Sequence, residues 1–89
     1  MEYAVRGIVS GRVQGVGFRN HVKKAVATTQ VRGHALNLSD HSVEIVLIGD
    51  REEVLEVQKA VAEGPRYSRV ENLAWEALED IDLEGFRIG

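Results

Sequence analysis

Gly11-Arg12-Val13-Gln14-Gly15-Val16-Gly17-Phe18-Arg19 joins two different periodicities, and the fold is read outward from it. Before it, Tyr3, Val5 and Val9 share one parity of a β-leaning run, so Tyr3 to Ser10 reads as a strand. After it, Phe18, Val22, Ala25 and Val26 recur at helical spacing, which predicts a helix to about Thr29. Between them, three glycines in the seven residues 11–17 break regular structure, so the segment reads as a loop. Val31 to Asn37 and Ser42 to Gly49 are strand-like and flank Leu38-Ser39-Asp40-His41, a hairpin turn. Asp50 is placed as an N-cap with Glu53 three residues on, and Val54, Val57 and Val61 carry a second helix to Gly64-Pro65. Val70 to Ala77 supplies another long strand, and Phe86 to Ile88 a short one after the acidic stretch Glu79 to Glu84. The order β-α-β-β-α-β plus a short fifth strand predicts an α+β, ferredoxin-like βαββαβ sandwich: an antiparallel sheet with two helices on one face. Such an architecture hosts unrelated activities, so function has to come from the loop.

With 89 residues the chain has room for one modest core, and residues 1–89 are read as a single domain. The absence of cysteine excludes disulfides, thiolate metal sites and a cysteine nucleophile. No apolar run approaches the ~18 residues of a membrane span, and Met1 to Ser10 lacks the features of a secretory leader. These readings place the protein in the cytoplasm with no membrane partner. The formal net charge of −3 argues against a nucleic-acid partner, but the charge is unevenly distributed. Residues 1–36 hold six bases and one acid, a net +5, and residues 37–89 hold five bases and thirteen acids, a net −8. A basic first third on an acidic chain suits a local site for a small anion.

The glycine-rich segment stands before a helix N-terminus, where free amides and the helix dipole favour phosphate. Arg19 in the first turn opposes that dipole unless an anion sits beside it. A tight connection with a solvated Arg19 is the plain alternative at this level. The spacing G-x-x-x-G-x-G is neither a dinucleotide fingerprint nor a P-loop, so nucleotide binding is not indicated.

The nine residues 11–19 resemble the first signature of the acylphosphatase family, G-x-V-Q-G-V-x-F-R, at every fixed position. A second family motif is matched by Gly33, Ala35, Asn37, Asp40, Val43 and Gly49, while His34, Leu36 and His41 depart from it. The resemblance covers essentially the whole chain. It implies metal-independent hydrolysis of the carboxyl–phosphate bond of small acyl phosphates to carboxylate and phosphate, without a cofactor. It further implies that Arg19 and the amides of Gln14, Gly15, Val16, Gly17 and Phe18 hold the phosphoryl group, and that Asn37 orients the attacking water. Inorganic phosphate would then be both product and inhibitor. Phosphoryl transfer needs mainly positioning and charge stabilisation, so a chain with no evident general base is not thereby disqualified.

Against the enzyme stands a non-catalytic module of the same fold that binds an acyl or carbamoyl phosphate or a protein partner, favoured by the departures at His34, Leu36 and His41. His21 reads as a solvated helix residue, and a metal site from His34, His41 and Asp40 has no fixed spacing behind it. Trp75 reads as core, and Tyr3 as an aromatic near the sheet centre. His41 replaces a turn glycine, so a positive φ is expected there. Leu36, Val46 and Ile48 share the parity opposite to Val43, Ile45 and Leu47, which leaves an apolar sheet face to be covered by the C-terminal segment or a second chain. The expected state is monomer or weak self-association.

Overall fold

The computed structural model describes residues 2–79 and 81–89; Asp80, within the acidic connection, lies outside the described residues. The elements are β1 (Tyr3–Arg12), α1 (Phe18–Ala27), β2 (Arg32–Asn37), β3 (Val43–Gly49), α2 (Arg51–Glu63), β4 (Arg69–Ala77) and β5 (Phe86–Ile88). They form one five-stranded sheet in the order β4-β1-β3-β2-β5. The four long strands pair antiparallel, as expected of a ferredoxin-like α+β sandwich. The short β5 runs parallel to β2, so the sheet is mixed.

Alternation decides which face the helices cover. Val5 and Val9 of β1, Ala35 of β2 and Val43, Ile45 and Leu47 of β3 are buried together with Phe18, Val22 and Val26 of α1 and Val54, Val57 and Val61 of α2. Trp75 and Tyr3 pack against this core, but Tyr3 lies opposite Gly49 at the start of β1, away from the sheet centre. The other parity makes the open face. Val46 and Ile48 are buried there too, at 3 % and 1 % exposure, within the single chain.

Two boundaries and one helix cap differ from the sequence reading by more than a single residue or in their bonding, each for a local reason. β1 continues through Gly11 and Arg12 because β4 pairs with them, across a register shift that leaves Glu71 bulged. α1 stops at Ala27 because the Thr28 and Thr29 hydroxyls donate to the Ala25 and Val26 carbonyls and draw off the last turn. Asp50 caps α2 by accepting from the Glu52 and Glu53 amides, but Glu53 does not reach back; its carboxylate accepts from the Gln30 amide and ties α2 to the end of α1. No helix among the described residues is long and apolar enough to cross a membrane.

Candidate active site

The two helices begin in opposite ways. α2 has the Asp50 side chain on its first amides and Glu52 and Glu53 in its first turn, so its positive end is neutralised internally. α1 has no side-chain cap and no acid in its first turn. Its N-cap is Gly17 in the left-handed region (φ 78°), and Gly15 is also left-handed (φ 74°). An L side chain at either position would be strained, and among the described residues the amides of Gln14 to Phe18 donate to no backbone carbonyl. Arg19 is half-buried in the first turn, and among the described residues no carboxylate pairs with it.

Val13, Gly15, Gly17, Phe18, Arg19 and Asn20 line a cleft of about 300 Å³ together with Ile88 of β5. A larger cleft, about 590 Å³, lies between the end of α1 and the start of α2, but it is lined by Asp50, Glu52, Glu53 and Glu56, which would repel an anion.

Gln14 fixes the loop. Its side-chain amide donates to the Leu38 carbonyl at 3.0 Å and to the Ser42 carbonyl at 2.9 Å, strapping the loop to the β2–β3 turn. That turn is closed by Asp40, which accepts from the Ser42 amide and hydroxyl; these bonds hold the Asp40 carboxyl below its usual range. His41 has φ 72°, so the expected positive φ is present. Asn37, exposed at the end of β2, points to the helix side by register, and its backbone N–H donates to the Gly89 carbonyl at 2.9 Å.

The sequence reading missed three arrangements. His21 is not a free surface residue: its Nε2 is 3.0 Å from the Ala60 carbonyl, linking α1 to α2. His34 lies on the open face with Nε2 2.8 Å from Glu44, while Asp40 is engaged in its own turn, so the imagined metal set is not brought together. Arg6 also binds Glu44, at 2.7 Å and 2.9 Å. Burial pushes the Glu44 carboxyl up, but the hydrogen bonds and charges of His34 and Arg6 outweigh it and leave it below the usual range. The register could have revealed this trio, since Arg6 and His34 flank Val46 and Glu44 lies two residues along the same face.

The family model of acylphosphatase matches residues 5–88. The chain belongs to the acylphosphatase family. These proteins are hydrolases, and a relative from Coxiella burnetii named acylphosphatase is 37% identical over 87 residues, covering 98% of this chain and 92% of the relative. The structure of an acylphosphatase from Coxiella burnetii superposes with a TM-score of 0.90 at 36% identity, covering 99% of this chain and 93% of that one. The crystal structure of the Bacillus subtilis acylphosphatase gives 0.87 at 34% identity, covering 100% and 99%. The acylphosphatase fold therefore extends over the cleft, the loop and the C-terminal strand together.

Proposed function

We propose that the chain hydrolyses the carboxyl–phosphate bond of small acyl phosphates, with the loop and Arg19 as the phosphoryl site. The observation that carries this reading is the uncapped, acid-free start of α1 behind two left-handed glycines, with Arg19 unpaired among the described residues in the same cleft. A phosphoryl group there accepts from the amides of Gln14 to Phe18, relieves the conflict between Arg19 and the helix dipole, and receives the planar guanidinium. Arg19 and the amides stabilise the charge spread over the equatorial oxygens as the bond to the acyl oxygen lengthens.

Asn37 orients the water in this reading. The water oxygen attacks phosphorus, the P–O bond to the acyl group breaks, and the carboxylate leaves with the electron pair. A phosphate oxygen of the substrate takes the proton of the water, so no protein base is required. Inorganic phosphate, the second product, occupies the same cradle and inhibits competitively.

Steady-state hydrolysis of benzoyl phosphate by the purified protein tests the proposal. Turnover above the spontaneous rate, competitively inhibited by inorganic phosphate, is the expected result. Binding of phosphate without turnover would leave the non-catalytic module as the better reading.

A further inference from the structure

We propose that Ile88 is the surface on which the substrate's acyl group packs, so that the enzyme prefers acyl phosphates with an apolar acyl group. The inference rests on the phosphoryl site proposed above and assigns what lies beyond it. Among the described residues the large apolar side chains left exposed are Leu55, Tyr67 and Ile88, the last at 38 %. Of these, only Ile88 lines the cleft of Gly15, Gly17 and Arg19.

Its position is rigid. Ile88 stands opposite Ala35 in the parallel β2–β5 pair, the Gly89 amide donates to the Ala35 carbonyl at 3.1 Å, and the Gly89 carbonyl accepts from Asn37 at 2.9 Å. Ala35 is buried on the helix-covered face, and Phe86, two residues before Ile88, packs against the same core. Ile88 therefore continues an apolar row out of the core and into the cleft. Left in water it forfeits the burial free energy an isoleucine can gain, and a ligand with an apolar part restores it.

A phosphoryl group held by the loop amides and Arg19 keeps its acyl group within the cleft that Gly15, Gly17 and Arg19 share with Ile88, the exposed large apolar side chain of that lining. Among the described residues Arg19 is the only charged side chain lining that cleft, and the phosphoryl group engages it, so no partner is left there for a charged acyl group. Contact with the acyl group exists in the ground state and the transition state alike, so it acts chiefly on KM.

The test compares benzoyl phosphate with acetyl phosphate in the parent, Ile88→Ser and Ile88→Leu. Ile88→Ser should raise KM for benzoyl phosphate about tenfold. Its acetyl phosphate kinetics and its inhibition constant for inorganic phosphate should stay within about twofold of the parent, and Ile88→Leu should behave as the parent does. Equal losses on both substrates, or an unchanged KM for benzoyl phosphate, would overturn the proposal while leaving the hydrolytic reading standing. A parent that hydrolyses neither substrate would remove that reading and this one with it.

Discussion

Arg19 and Asn37 should fail differently when removed. In the proposed mechanism Arg19 contacts phosphate in substrate and transition state, and each charge-assisted hydrogen bond lost costs ~1.5 to 3 kcal/mol. Arg19→Ala should damage phosphate affinity and turnover together, and Arg19→Lys should recover only part, since it keeps the charge and loses the planar fork. Asn37→Ala should lower kcat by about a hundredfold with inhibition by inorganic phosphate little changed, because in that mechanism its side-chain amide acts on the water. Measuring kcat and the phosphate inhibition constant for both variants decides this, and equal loss of phosphate affinity would make Asn37 a ligand-binding residue. His41 belongs to the same scale. Its φ of 72° holds a non-glycine residue in the left-handed region, at a cost of roughly 1 kcal/mol, with Asp40 and Ser42 closing the turn whatever occupies the position. His41→Gly should raise the thermal midpoint, and a lower midpoint would show that the imidazole contributes more than the backbone strain costs.

Among the elements, the sheet's open face carries a titratable contact that the parity of its strands places. Arg6 on β1, Glu44 on β3 and His34 on β2 meet there, and the Glu44 side chain is only 18 % exposed. Because its carboxyl is held below the usual range when folded, the contact's stability is fully present above that range and is lost as pH falls through the lowered value. Glu44→Gln should be less stable than the parent at pH 7, and the difference should shrink as pH drops below the ordinary carboxylate range. Urea unfolding across a pH series measures it; a constant gap would mean packing, not charge, is what the substitution removes. This trio also marks where the sequence stopped being legible. Strands and helices followed from local periodicity, and the loop before α1 from its glycines, because both are encoded in neighbouring residues. The Gln14 strap onto Leu38 and Ser42, the His21 bond to Ala60 and the Glu44 cluster join residues 24 or more, 39 and 10 to 38 apart respectively. Such contacts depend on a register that periodicity does not specify. The parallel pairing of β5 was hidden for the same reason: three residues carry no signal of direction.

For the whole molecule, the apolar open face is closed from within. The connection from β4 at one edge of the sheet to β5 at the other must cross the molecule, and Arg32 holds it. Its Nε donates to the Leu83 carbonyl at 2.8 Å, and its guanidinium also binds Glu2 at 2.6 Å and Asp82 at 3.2 Å. Arg32 sits beside Ile48 in the β2–β3 register, so these bonds bring residues 82 and 83 to the side of the sheet where Ile48 and Val46 lie. Arg6 and His34 flank Val46, completing the cover. The apolar face that motivated self-association is therefore buried in one chain, and sedimentation velocity of the parent across a wide concentration range should show a monomer. Glu2 and Asp82 are well exposed, so their ion pairs contribute little on their own, and the bond to the Leu83 carbonyl anchors the connection together with the Gly33 amide, which donates to the Gly85 carbonyl at 2.9 Å. Added salt should consequently leave the parent monomeric, whereas Arg32→Ala should free the connection, expose Ile48 and bring on concentration-dependent association together with a lower thermal midpoint. An associating parent, or an Arg32→Ala variant that stays monomeric and fully stable, would show that the face is covered by something other than this arginine.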